Sequence, residues 1–432
     1  MSHTPAVSDR VDGAGGVVVV GAGQAGAAVA LGLRRRGFAG PVTLVGAERE
    51  PPYERPPLSK AFLAGEAAED VLHLQPSLAA YDEQDVAVLL GERVERVDRA
   101  AGVVQTSAGR VLSYDHLVLA VGARPRRLPV PGADLDGVVV LRTLADSRDL
   151  RRRLADAQHA VVVGAGFVGM EVAAVAAAAG RPVTVLEALD RPHARLVTPA
   201  VSSAVAAEHL RRGTRLEFGA GVTGLLGNAA GQVRAVALDD GRQVTADLVL
   251  VAVGVTPRSE LAQEAGLEVL AGPPGGIVVD VHLRTSDPHI SALGDCAAFP
   301  LGALGGRRSR VESVQNAVDQ AATVSARLTG APSPYTAVPW FWSDQFDLHL
   351  QVAGLGEEHD DTVLLGDSTT GSFSVLCFRG GLLVSVESVS RPADHLAARK
   401  LLSAGAVVDL ATASAVDFDL RRHLTALRRR VR

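Results

Sequence analysis

Two short segments of the 432-residue chain carry three glycines at the spacing Gly-x-Gly-x-x-Gly. The first is Gly21-Ala22-Gly23-Gln24-Ala25-Gly26 and the second Gly164-Ala165-Gly166-Phe167-Val168-Gly169. In such a loop the first glycine makes a tight turn, the second lets backbone approach a pyrophosphate, and the third lets a helix pack on a strand. The phosphates then rest on the unpaired N–H groups and positive end of the following helix. Glycines also mark ordinary turns, so the flanking elements decide. Four valines, Val17 to Val20, lead into the first loop, and Ala160-Val161-Val162-Val163 leads into the second. Alanine-rich helical stretches follow both, then strand-like runs at 42–45 and 183–186. Each copy reads as strand, turn, helix and strand, with the continuously apolar first strand expected of a sheet covered on both faces.

An acid at the end of the second strand would hold a ribose. Glu187 follows the 183–186 run, where a carboxylate accepts from ribose hydroxyls and repels a 2′-phosphate, which predicts NADH over NADPH. The plainer alternative is a solvated strand-end acid with Asp190 and Arg191 nearby. In the first copy Ala47 stands before the candidate Glu48. Two dinucleotide sites in one chain can hold FAD and NAD(P)H, the cofactors of a flavin-dependent electron-transfer enzyme. Further strand signals lie at 114–125 and 246–257, and a third, 285–295, ends in Gly294-Asp295. There Asp295 could lie against the ribityl chain of a flavin.

Composition supports a globular enzyme of several domains. Length suggests roughly three domains of ~150 residues, and 47% hydrophobic against 21% charged residues suits substantial cores. A net charge of −5 argues against nucleic acid as a partner. The two cysteines, Cys296 and Cys377, exclude a sequence-local dithiol, a zinc ribbon and a disulfide-rich scaffold, and are read as buried and inert. The N-terminal stretch has no apolar core of a signal peptide. The long apolar stretches 17–33 and 160–180 are broken by glycines, and Glu171 interrupts the second, so neither reads as a membrane span. A soluble cytoplasmic protein with no metal site is expected. His193, His282 and His289 read as surface or turn residues.

Longer motifs add a family. Pro52-Tyr53-Glu54-Arg55-Pro56-Pro57-Leu58-Ser59-Lys60, Val311-Glu312-Ser313-Val314-Gln315-Asn316-Ala317 and Trp340-Phe341-Trp342-Ser343-Asp344-Gln345-Phe346 occur in that order. With the glycine loops, they make the chain resemble the FAD-dependent, NADH-dependent ferredoxin reductases of bacterial oxygenase systems, from about residue 17 to about 405. The resemblance implies an α/β fold with two Rossmann-like dinucleotide-binding domains, arranged as in glutathione reductase, and a smaller α+β C-terminal domain. The boundaries read as 1–123 with 256–332 for FAD, 124–255 for NADH and 333–432 for the C-terminal domain, where runs at 373–378 and 382–386 suggest an antiparallel sheet.

The resemblance also assigns residues. Gly21, Gly23, Ala25 and Gly26 would contact the FAD pyrophosphate, with Ala47, Glu48, Val94 and Arg142 toward the adenosine side, and Gln24 and Ala120 would also bind cofactor. Gly294, Asp295 and Val314 would face the ribityl chain and ring, and Arg55 would stiffen the loop carrying Lys60. Lys60, one of two lysines in the chain, would stand by the flavin N5/O4 edge, where a fixed cation stabilises developing negative charge. Gly164, Gly166, Phe167, Val168, Gly169, Glu187 and Gly254 would hold NADH, with Glu171 on the nicotinamide carboxamide; otherwise Glu171 is an acid favoured by its helix dipole. Trp340 would lie close to flavin and partner, or else pack, with Trp342, in the core. The implied partner is a 2Fe–2S ferredoxin supplying an oxygenase. A rubredoxin reductase and an NADH-sensing flavoprotein similar to apoptosis-inducing factor remain alternatives. Arginines at 307, 308 and 310 and along 421–430 are either docking charges or a solvated face.

Overall fold

The computed structural model describes residues 15–302, 305–356 and 358–431. The chain forms two compact units. One comprises the chain up to Glu54 with Glu69–Arg124 and Thr256–Ala337; the other comprises Arg55–Ala68, Pro125–Val255 and Val338–Arg432.

Each unit is built around one of the two glycine loops. In the first, all four valines of Val17–Val20 are buried, which suits a central strand enclosed on both faces. Its five-stranded parallel sheet runs Ile290–Ala292, His116–Leu119, Val17–Val20, Val42–Gly46, Val86–Leu90. The second unit repeats the arrangement: Arg215–Phe218, Val183–Glu187, Ala160–Val163, Leu248–Val251, Val138–Val139, again parallel throughout. Register repeats as well. Val17 pairs with Val42 and His116, and Ala160 pairs with Val183 and Leu248. Each unit also carries a three-stranded antiparallel sheet: Val94–Asp98, Val103–Thr106 and Val111–Ser113 in the first, Val222–Gly227, Val233–Leu238 and Gln243–Thr245 in the second.

The second unit adds an antiparallel sheet in the order Trp340–Gln345, Leu348–Gly354, Leu382–Val389, Ser372–Arg379, Asp361–Asp367. Period-2 alternation gives it two apolar faces. Leu350, Val352, Phe373, Val375 and Val389 join the core of the parallel sheet and the Phe167–Ala178 helix. Leu376, Phe378 and Val386 pack instead with residues of the Pro392–Ser403 helix, such as Ala398 and Leu401. No helix among the described residues is long and apolar enough to cross a membrane.

Candidate active site

The two glycine loops have the same geometry, glycine for glycine. Gly21 and Gly164 have φ of +110° and +104°, a region L side chains rarely adopt. A methyl group on either would also strike a carbonyl of the next parallel strand's extension, Ala120 O at 2.2 Å or Ala252 O at 2.6 Å. A Cβ at Gly26 would lie 1.9 Å from Gly21 O, and one at Gly169 2.1 Å from Gly164 O. Those glycines close the helix onto its strand. Gly23 and Gly166 differ, because a Cβ there would meet nothing within 4 Å. Protein packing therefore does not demand glycine at the middle position, whereas a pyrophosphate approaching the backbone does. The helices Gln24–Arg35 and Phe167–Ala178 begin at the next residue, without a side-chain cap, so their first N–H groups are available to an anion. These loops fit two dinucleotides.

Glu187 is held at the rim of the second loop. Its carboxylate accepts from Ala165 N at 2.7 Å and Leu189 N at 3.0 Å. It is a fixed group tied to the loop rather than a freely solvated strand-end acid. Val168 is exposed, and Gly254, with φ +94°, again leaves open space where a Cβ would be. At the first loop, Glu48 is half-buried and accepts from Tyr53 Oη at 2.6 Å, while Ala47 is exposed. Gly294, at φ +74°, sits against the loop, since its Cβ would meet Ala25 Cβ at 3.2 Å, and its N–H donates to Gln320 Oε1. Asp295 is half-buried beside it. Arg310 fixes the turn through a 3.2 Å bond to Asp295 O. Val314 opens the Val314–Leu328 helix, capped by Ser313 Oγ accepting from Asn316 N. Val94 is buried in the first unit's small antiparallel sheet.

Lys60 and Glu171 form an ion pair in the second unit. Two prolines at the head of the Pro56–Ser59 turn stiffen the approach. Arg55 donates to Arg142 O at 2.5 Å, and Ser147 Oγ donates to Leu58 O at 2.7 Å. Lys60 Nζ then lies 2.7 Å from Glu171 Oε2, with Lys60 18% and Glu171 4% exposed. Ser59 Oγ donates to the same oxygen at 2.5 Å, and Ser343 Oγ to Oε1 at 2.6 Å. Glu171 is the fifth residue of its helix and is fully engaged, so it does not act as a first-turn dipole acid.

Behind Ser343 runs a buried polar chain that the sequence motifs did not reveal. Gln345 Nε2 contacts Ser343 Oγ at 3.0 Å and His193 Nε2 at 3.2 Å, and Gln345 Oε1 contacts His209 Nε2 at 3.0 Å. His209 Nδ1 lies 3.3 Å from Thr214 Oγ1. Burial pushes the His193 imidazole down to about 3 and the His209 imidazole to about 4, so both are neutral at pH 7. His193 was expected in a turn or at the surface; it occupies a turn, with φ +54°, but is buried, stacked 4.5 Å from the Phe167 ring. Phe341 meets Phe167 at 5.1 Å. The available signal was alternation: in the Trp340–Gln345 strand, Phe341, Ser343 and Gln345 share one face.

Trp340 stands on the opposite face of that strand from Ser343. It lies 5.7 Å from Trp342 and 5.6 Å from His395, with the Arg399 guanidinium 4.0 Å over its ring. Arg308 and Arg310 reach back onto backbone carbonyls, and Arg310 is only 8% exposed, whereas Arg307 is exposed. Arg421 pairs with Asp419, while the side chains of Arg428 and Arg430 lie outside the described residues. Cys296 and Cys377 are buried, and burial pushes their thiols up to about 11 and about 12.

Comparison with known proteins gives concordant matches. Residues 15–321 match the family Pyridine nucleotide-disulphide oxidoreductase, and residues 340–424 match Reductase C-terminal. The chain is 45% identical over 406 residues to rhodocoxin reductase of Rhodococcus erythropolis, covering 94% of this chain and 93% of that one. It is similar, at 43% identity and a TM-score of 0.91, to the crystal structure of a ferredoxin reductase for the CYP199A2 system from Rhodopseudomonas palustris, covering 95% of this chain and 100% of that one. The covalent putidaredoxin reductase–putidaredoxin complex matches with a TM-score of 0.91 and 38% identity, over 96% of this chain and 99% of that one.

Proposed function

Because the chain belongs to the pyridine nucleotide-disulphide oxidoreductase family, among the ferredoxin reductases of oxygenase systems, we propose that it passes electrons from NADH through non-covalently bound FAD to a 2Fe–2S ferredoxin. Membership itself implies that it binds FAD and NAD(H). The observation that carries the reading is the pair of equivalent glycine cradles, each open at its middle glycine, in a chain that also carries the Lys60–Glu171 pair. FAD supplies the conversion between a two-electron donor and a one-electron acceptor.

The chain's residues do the binding and orienting. The Gly21–Gly26 loop, Glu48, Asp295 and Val314 hold FAD. The Gly164–Gly169 loop holds the NADH pyrophosphate, and Glu187 accepts from the ribose and disfavours a 2′-phosphate. As the resemblance implies, Lys60 would offer its ammonium to the flavin, and Glu171 would orient the carboxamide. No general base is needed. The acceptor's partner is read as an oxygenase, haem monooxygenase or ring-hydroxylating, and the setting as the cytoplasm, where NADH is the donor. The three-domain boundaries read from sequence, at 123/124, 255/256 and 332/333, belong to the same proposal.

The test is anaerobic. FAD-loaded protein mixed with NADH should bleach, and ferredoxin should then make cytochrome c reduction catalytic. Protein that stays colourless after incubation with FAD would defeat the proposal. Turnover with rubredoxin but not ferredoxin would change the acceptor. A long-lived reduced flavin–NAD charge-transfer band with negligible turnover would favour a sensor.

A further inference from the structure

The polar chain behind Glu171 has a fixed direction. Gln345 Nε2 can only donate, so at 3.0 Å Ser343 Oγ must accept from it, and at 3.2 Å His193 Nε2 must be the bare nitrogen of its ring. Gln345 Oε1 can only accept, so His209 carries its proton on Nε2, and its Nδ1 accepts from Thr214 Oγ1. Having accepted from Gln345, the Ser343 hydroxyl turns its one hydrogen to Glu171 Oε1. Thr214 donates to His209, His209 to Gln345, Gln345 to Ser343, and Ser343 to Glu171. Ser59 and Lys60 approach the other oxygen. Each member from Thr214 to Glu171 is at most 4% exposed.

We propose that Ser343 and Gln345 are positioning residues for the Glu171 carboxylate, the last links of a one-way donor chain that holds it in place and turned toward Lys60. Three features of the structure carry this. Glu171 is a buried carboxylate, which is costly unless both oxygens are satisfied. Of its three partners, Ser343 alone comes from the antiparallel sheet, and it sits on the strand whose Phe341 packs on Phe167 of the nucleotide loop. Gln345, by requiring Ser343 to accept, removes the hydroxyl's freedom to turn elsewhere. The strand thus touches the NADH cradle at the loop and at the reacting end, and holds the carboxylate until the nicotinamide carboxamide competes for it. The inference rests on the proposed function only for what Glu171 does with NADH.

The experiment is a double-mutant cycle on the FAD-loaded enzyme. Ser343→Ala should slow the limiting rate of flavin reduction at saturating NADH about tenfold, with FAD content unchanged, and Ser343→Thr should restore most of it. In a Glu171→Gln background, Ser343→Ala should cost nothing further in rate. Equal slowing in both backgrounds, or none in the first, would overturn the proposal. The same four proteins unfolded in urea give a second readout that needs no reduction: the unfolding equilibrium constants should be coupled by about tenfold, and additive values would also count against it. Gln345→Leu should slow reduction in the same Glu171-dependent way. If NADH does not reduce the wild type, the functional reading fails, while the urea cycle still decides whether Ser343 acts through Glu171.

Discussion

At the scale of single residues, the chemistry concentrates on groups whose neighbours leave them one role. Lys60 is tied to Glu171, so its ammonium is placed rather than freely rotating. Lys60→Met should therefore slow flavin reduction by ~100-fold at saturating NADH while weakening NADH binding far less, a size comparable to losing one preorganised donor. Stopped-flow reduction against NADH concentration separates the two, and equal losses would make Lys60 structural. Glu187, held by two backbone N–H groups, should set coenzyme choice. Glu187→Ala should narrow the ratio of NADH to NADPH efficiency about tenfold. A wild type that prefers NADPH would contradict that assignment.

At the scale of elements, the glycine loops separate packing from binding. Gly169→Ala forces a methyl to within 2.1 Å of Gly164 O and should cost about 1–3 kcal/mol of stability. Gly166→Ala meets no protein atom, at a φ of −75° that alanine adopts easily, so the fold should be kept. Its loss should appear in NAD+ affinity, weakened by about tenfold, measured by titration beside a thermal melt. Equal melting losses at both positions would undo the distinction. These loops were legible in the sequence because everything they need lies within six consecutive residues and two flanking apolar runs. The Trp340–Gln345 strand was legible as a motif, but its tryptophans lie on the face opposite Ser343, the residue that meets Glu171. Ser343, Gln345, His193 and His209 were not legible, because Ser343 lies 172 positions from Glu171 and Gln345 lies 152 from His193. Alternation gave the face; only the fold gave the partner.

At the scale of the whole molecule, buried neutral histidines set the response to acid. Burial, aided by nearby cations or another imidazole in most cases, lowers His116 and His193 to about 3 and His209 and His395 to about 4. An unfolded chain would protonate these rings near pH 6.5, so between that pH and the folded values the unfolded state binds more protons. Stability is thus fully present above pH 6.5 and lost as pH falls toward 4. The loss approaches ~1.4 kcal/mol per pH unit for each histidine that stays neutral in the fold. Urea midpoints from pH 7 to pH 4.5 should fall steeply, and His209→Gln should flatten the slope; a flat wild-type profile would exclude the mechanism. The two thiols carry a different consequence. A reduced flavin that spills electrons onto dioxygen generates peroxide at its own surface, and peroxide attacks thiolates. With Cys296 and Cys377 enclosed and held protonated far above neutrality, this protein would offer such peroxide no thiolate to attack.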